Sequence, residues 1–175
     1  TIKDNELYWF HDLDAFQLYP IAEDEINISN KEIALTDYGG RKYGGEDRWS
    51  TGSIFFRSGA RDIFYRIQEV FYKKNIDEEE ALGILTRDDA KIQKRVKKLN
   101  NTYNFIGYNL RTVYNNAIKP PRVAHFHPLA GNRWLKTDNS LDFFQGNNPL
   151  KIPLITERLV KILKYHRIRT YNTYT

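Results

Sequence analysis

Two aspartates separated by one residue, Asp12 and Asp14, follow an apolar run at residues 7–10 that predicts a buried strand. Because side chains alternate along a strand, both carboxylates can face the same way where the strand ends. Converging carboxylates are costly unless protons or a cation neutralise them. A divalent cation whose shell is completed by ligand phosphates removes this cost. The spacing therefore predicts a metal site in an enzyme that handles a nucleotide diphosphate, with a solvated turn as the alternative.

Two of the chain's four histidines, His125 and His127, stand one residue apart at the end of a predicted short strand, residues 123–126. The same alternation places both imidazoles on one side. Neutral imidazole is a competent ligand for manganese and suits magnesium less well. The pair therefore predicts further metal ligands, with a structural role at the strand end as the alternative.

Polar residues that could meet a ligand occur at two further places. Thr51 and Gly52 precede an apolar strand, where a glycine lets a ligand approach the backbone and a hydroxyl can bond sugar or phosphate. A tight turn at the strand entry is the alternative. Glu79 and Glu80 stand at the start of a predicted helix, where a carboxylate can orient a sugar hydroxyl or act as a base. The alternative is that they only complement the helix dipole.

The formal charge of +5 hides an asymmetry between the two halves of the chain. Residues 1–90 carry 11 Lys and Arg against 19 Asp and Glu, whereas residues 91–175 carry 16 against 3. This division of charge is compatible with a cleft where metal and phosphates meet, or with a surface that binds a polyanion such as nucleic acid. The alternative is two solvated faces that merely differ in sign. Cysteine is absent, which excludes disulfides, thiolate metal sites and cysteine nucleophiles and favours the cytoplasm. No apolar run is long enough to predict a transmembrane helix.

Alternating strand and helix patterns predict one α/β domain over residues 1–175, with a terminal basic helix and tail at 150–175. Ser58 is predicted to cap one helix, Asp77 a second, and Pro153 to begin the last. Residues 38–49, rich in glycine, predict a loop. The remaining predictions are strands at 33–35, 53–56 and 123–126, a basic helix or turn at 90–99, and an extended segment at 103–108.

Taken in order, these motifs resemble the metal-binding half of GT-A glycosyltransferases, from about Leu7 to Trp134. The motifs that carry the resemblance are Asp12-Leu13-Asp14, Thr51-Gly52-Ser53, Glu79-Glu80-Ala81-Leu82, Tyr103-Asn104-Phe105 and His125-Phe126-His127. The resemblance implies a mixed sheet flanked by helices. It also implies a metal-dependent enzyme, a hexosyl- or pentosyltransferase, that moves a sugar from a nucleotide-diphosphate donor to an acceptor hydroxyl. The acceptor would be a glycan, a protein or modified DNA.

The resemblance also implies roles for individual residues. Asp12 and Asp14 would hold Mn²⁺ or Mg²⁺ against the donor diphosphate, with His125, or alternatively His127, as a further ligand. Thr51 and Gly52 would meet the donor sugar or the acceptor. Glu79 and Glu80 would supply the base or position the sugar. Finally, the cations that would steady the leaving diphosphate are Arg133 and Lys136.

The family places a Rossmann-like half, which grips the nucleotide base, before its Asp-x-Asp motif. Here the motif comes almost at once, so the expectation is that this half is absent or truncated and is supplied by a longer protein or a partner chain. Two other classes remain open. One is a nucleic-acid-directed enzyme, either a DNA-modifying glycosyltransferase or a metal-dependent nuclease. The other is a nucleic-acid-binding module without catalysis.

Overall fold

The computed structural model describes residues 2–4, 6–28, 31–43, 46–106, 110–118, 120–125 and 153–165. Four strands come first and three consecutive helices follow, so the predicted alternation of strands and helices is found only from residue 96 onward. The strands are β1 (Tyr8–His11), β2 (Ala15–Gln17), β3 (Ile33–Tyr43), β4 (Glu46–Phe56), β5 (Val96–Lys98) and β6 (Val123–His125). The helices are α1 (Arg61–Lys74), α2 (Glu78–Asp88), α3 (Ala90–Arg95), α4 (Leu110–Asn116) and α5 (Pro153–Tyr165).

The main sheet has four strands in the order β1-β4-β3-β5. Strands β1 and β3 pair with β4 in antiparallel fashion, whereas β5 runs parallel to β3. Helices α1, α2 and α3 cover one face, where Ile33, Leu35 and Ile54 of the sheet share a core with Ile63 and Leu82 of the helices. The predicted fold class, an α/β fold with a mixed sheet flanked by helices, is therefore confirmed.

A smaller sheet pairs β2 with β6 and packs against α4 and α5. Its core joins Phe105 and Ala124 to Ile155 and Leu159 on one face of α5. The Arg158 side chain strengthens this contact, since its Nε donates to the carbonyl of Leu18 at 2.6 Å. The predicted start of the last helix at Pro153 is confirmed.

Two of the predicted helix caps can be compared directly with the structure. The Asp77 carboxylate accepts a hydrogen bond from the backbone N–H of Glu80 at 2.7 Å, so the predicted cap of α2 is confirmed. The prediction that Ser58 caps α1 is wrong. Residues Ser58–Ala60 form a 3₁₀ turn, and α1 begins at Arg61 without a side-chain cap.

The predicted loop at residues 38–49 is also wrong. Strand β3 extends to Tyr43 and β4 begins at Glu46, and the two pair in this region at Asp37–Trp49, Lys42–Asp47 and Tyr43–Glu46. Glycine lowers strand propensity, but ladder hydrogen bonds to a neighbouring strand override that local preference. Among the described helices, none has both the length and the apolar character needed to cross a bilayer.

Candidate metal centre

The Asp-x-Asp motif lies in the turn that joins β1 to β2. The Asp12 N–H donates to the Gly52 carbonyl at 3.1 Å, and the Ala15 N–H donates to the Asp12 carbonyl at 3.1 Å. These bonds close a four-residue turn at the end of β1. Leu13 at its tip is 98% exposed, whereas the Asp14 side chain is 28% exposed. The turn therefore sends the middle side chain to solvent and leaves the carboxylates nearer the protein.

Strand pairing in the smaller sheet brings His125 to these carboxylates. In the β2–β6 ladder, Ala15 pairs with His125, so the histidine lies beside the residue that follows Asp14. Its Nε2 is 3.1 Å from Oδ1 of Asp14 and 3.8 Å from Oδ2 of Asp12. The ring itself is only 3% exposed. A buried imidazole thus faces two partly exposed carboxylates.

An irregularity in β4 makes room for this imidazole. The pairing of β3 with β4 jumps from Leu35–Ile54 to Thr36–Ser50, so Thr51, Gly52 and Ser53 of β4 have no counterpart in β3. Such bulges re-aim the backbone next to functional sites. An ideal Cβ placed on Gly52 would lie 2.5 Å from Nδ1 of His125 and 3.0 Å from Oδ2 of Asp12. Only glycine fits there without displacing the ring.

The three side chains form a donor set that suits a divalent cation. Single ligand atoms of Asp12, Asp14 and His125 all lie within 4.8 Å of one another. Carboxylate oxygens suit Mg²⁺ and Mn²⁺, and an imidazole nitrogen shifts the preference towards Mn²⁺. The partial exposure of the carboxylates leaves a side open to a ligand.

Thr51 and Glu79 lie directly beside the bulge. Oε1 of Glu79 accepts hydrogen bonds from the Tyr38 hydroxyl at 2.6 Å and from the Thr51 N–H at 3.2 Å. The Thr51 hydroxyl donates to Oε1 of Glu78 at 3.1 Å. The first turn of α2 is therefore bound to the backbone of the bulge. Glu80 has an exposed side chain, and its described contact is the backbone bond to the α2 cap.

Sequence reasoning did not single out Tyr38 or Glu78. Glu78 directly precedes Glu79 and Glu80, and the helical period alone does not tell which of these carboxylates turns inward. Tyr38 fell in the segment that was predicted to be a loop. Three of the predicted site residues, His127, Arg133 and Lys136, lie outside the described part of the chain.

No protein-family model matches the chain, and no curated protein matches its sequence. Among solved structures, the glycosyltransferase GlyE of Streptococcus pneumoniae TIGR4 superposes with a TM-score of 0.55 at 13% identity, over 99% of this chain and 46% of its own. The galactosyltransferase LgtC, solved with donor and acceptor sugar analogs, gives a TM-score of 0.49 at 15% identity, over 91% of this chain and 63% of its own. This chain thus spans about half the length of GlyE and less than two thirds of LgtC. At such identities the likeness to GlyE shows the fold alone, and it supports the GT-A-like architecture predicted from the sequence.

Proposed function

We propose that this chain contributes the metal-binding part of a glycosyltransferase that moves a sugar from a nucleotide-diphosphate donor to an acceptor hydroxyl. The observation that carries the proposal is the convergence of Asp12, Asp14 and His125 within 4.8 Å, from opposite ends of the described core. The fold, which is similar to that of a glycosyltransferase, supports the same reaction class. This proposal includes the dependence on a metal, the nucleotide-diphosphate donor, and the transfer of a hexose or a pentose.

Asp12, Asp14 and His125 would hold Mn²⁺ or Mg²⁺. When bound, such a cation would neutralise charge on the departing diphosphate and orient it. The protein fixes the ligands beforehand, since the turn at Asp12 and the β2–β6 ladder set their positions through backbone hydrogen bonds. Pre-positioned ligands avoid the free-energy cost of assembling the site when substrate arrives.

The residues around the bulge would handle the sugar. Gly52 lies beside Asp12, since its carbonyl accepts a hydrogen bond from the Asp12 N–H, and Thr51 precedes it in β4. Glu79 is the better candidate for the acidic group that acts as a base or positions the sugar, because it lies against Thr51. Glu80 remains the alternative in the same helix turn.

The remaining assignments extend beyond the described residues. We propose that Arg133 and Lys136 steady the diphosphate and that His127 is the alternative metal ligand. Contacts to the nucleotide base would come from a further segment or a partner chain, in keeping with the share of GlyE that this chain spans. The acceptor remains a glycan, a protein or modified DNA.

A panel of nucleotide sugars tests the proposal. The full chain is mixed with each donor, with Mn²⁺, Mg²⁺ or EDTA, and scored by thermal shift and donor hydrolysis. We expect at least one donor to stabilise the wild-type protein only with the cation, and Asp14→Asn to lose that effect. Stabilisation that is equal in EDTA would refute the metal-dependent mechanism. Cleavage of DNA or RNA without any sugar nucleotide would instead support the nuclease alternative.

A further inference from the structure

The strand that carries His125 is held by few contacts. Strand β6 has three residues, and its ladder with β2 contains the pairs Ala15–His125, Phe16–Ala124 and Gln17–Val123. On its other side, one isolated bridge links Ala124 to Phe105. A slip by one residue would turn every side chain of a strand to the opposite face. The position of the imidazole against Asp14 therefore depends on what fixes the register of β6.

Arg122, the residue before β6, is anchored through its backbone and its side chain. Its N–H donates to the Thr102 carbonyl at 2.7 Å, and its own carbonyl accepts from the Leu18 N–H at 2.7 Å. The guanidinium grips the Glu25 carboxylate in a bidentate pair, with Nε to Oε2 at 2.9 Å and Nη2 to Oε1 at 3.0 Å. Two parallel N–H···O bonds fix both direction and distance.

The Glu25 carboxylate belongs to a segment that is anchored in the hydrophobic core. Glu25 belongs to the 3₁₀ turn Glu23–Ile26, and Ile26 is fully buried in the core with Phe55 and Tyr103. The Arg122 and Glu25 side chains are 23% and 26% exposed, so water screens the pair less than it screens a surface pair. Hydrogen bonds from Arg122 hold the pKa of Glu25 below its ordinary value, and the pair is charged at neutral pH.

We infer that Arg122 is a positioning residue for the metal centre: its bidentate pair with Glu25 fixes the register of β6 and thereby places the His125 imidazole against Asp14. This inference rests on the proposed metal-dependent function. The Arg122 side chain has no described contact with the three ligands, and it acts through the backbone of the two residues, Val123 and Ala124, that separate it from His125.

Arg95 offers a matched control. Its guanidinium is also bidentate, with Nη1 and Nη2 at 2.7 Å and 2.5 Å from the Asp62 carboxylate, and it also bonds Glu32. It is 27% exposed, close to the exposure of Arg122. Its partners belong to α1 and the entry to β3, and none of them is in the metal cluster. Loss of Arg95 should therefore lower stability without moving the imidazole.

The experiment compares Arg122→Ala, Arg122→Lys and Arg95→Ala with the wild-type full chain. Each protein is titrated with Mn²⁺ alone, followed by the EPR signal of the free ion, and urea unfolding is measured in parallel. Pulsed EPR then records nitrogen modulation from a bound imidazole, and His125→Ala assigns that signal. This spectroscopic readout reports ring placement, which a general loss of stability does not change.

We expect Arg122→Ala to weaken Mn²⁺ binding about tenfold, as supporting residues of metal ligands do, and to reduce the nitrogen modulation. Arg122→Lys, which keeps the charge but not the bidentate grip, should show a smaller loss in the same direction. Arg95→Ala should bind Mn²⁺ within about twofold of the wild type. Unchanged affinity and modulation in both Arg122 variants would overturn the inference and leave the proposed function standing. A wild-type chain that binds no Mn²⁺ would overturn the metal-dependent function itself.

Discussion

Replacement of Gly52 by alanine tests whether the His125 ring occupies the space left by the missing side chain. The added Cβ would lie 2.5 Å from Nδ1 of His125 and 3.0 Å from Oδ2 of Asp12. The nearly buried ring has little room to retreat, because β6 is held on both sides. Gly52 does not adopt a positive φ, so the backbone itself accepts alanine and the clash is the whole effect.

The cost of this substitution has two parts. Overfilling a packed site lowers the free energy of unfolding by about 1–3 kcal/mol. Displacing a metal ligand's support lowers metal affinity about 10–100-fold, which corresponds to about 1.4–2.7 kcal/mol of binding free energy. We therefore expect Gly52→Ala to unfold at lower urea concentration and to bind Mn²⁺ more weakly.

Gly83→Ala is the matched control, because apart from its chain neighbours and the adjoining helix backbone, nothing lies within 4 Å of a Cβ added at that position in α2. Alanine should stabilise the helix by up to about 1 kcal/mol and leave Mn²⁺ binding unchanged. Urea unfolding followed by tryptophan fluorescence gives the stability of each variant, and EPR titration gives the affinity. If Gly52→Ala matches the wild type in both measurements, the imidazole does not lie against Gly52 and the derived ligand set is wrong.

Three further predictions concern individual carboxylates. Asp14→Asn keeps the size of the side chain but removes its charge. Because a direct ligand is lost, the affinity for Mn²⁺ should fall more than about 100-fold, whereas the urea midpoint of unfolding should change little. An EPR titration that shows equal affinity would contradict this prediction. Glu79→Gln retains a hydrogen-bond acceptor but cannot act as a base, so kcat should fall at least about 100-fold with KM little changed. A kcat equal to that of the wild type would instead show that Glu79 only stabilises the bulge in β4. The pKa of Glu25 lies below its ordinary value of 4.5 through its bonds with Arg122, so its stabilising effect is present above that value and is lost as pH falls through the folded-state pKa. Urea unfolding at about pH 6 and pH 3 should therefore show a steeper loss for the wild type than for Glu25→Gln, and parallel losses would contradict the ion pair.

The parts of the metal centre could be predicted, but their assembly could not. Carboxylates one residue apart and a histidine at a strand end signal metal chemistry by residue type alone. The structure brings Asp12, Asp14 and His125 together through a turn and a three-residue ladder. Strands this short carry no pattern that specifies a partner or a register. The contact between the turn after β1 and strand β6 was therefore expected only from the resemblance.

Helices were easiest to predict where the hydrophobic residues recur strongly at the helical period. Helix α1 buries Ile63 and Ile67, which lie four residues apart on one face, and burial of an apolar face stabilises such a helix. Helix α4, Leu110–Asn116, was not predicted, since seven residues contain too few turns to show a period. The pairing of β3 with β4 was not predicted, because a glycine-rich composition indicates only a low local propensity for strand. Pairing between strands is a tertiary effect that overrides this propensity.

The residues of the candidate metal centre come from the turn after β1 and from β6, which has a consequence for folding. An unfolded chain does not hold His125 near Asp12 and Asp14, so a cation that needs all three binds the native state alone. Binding of that kind adds RT ln(1 + [M]/Kd) to stability, about 2.7 kcal/mol at a hundredfold excess over Kd. Under the proposed function, manganese should thus stabilise the native fold, and its chelation should lower the melting temperature even where no sugar is present.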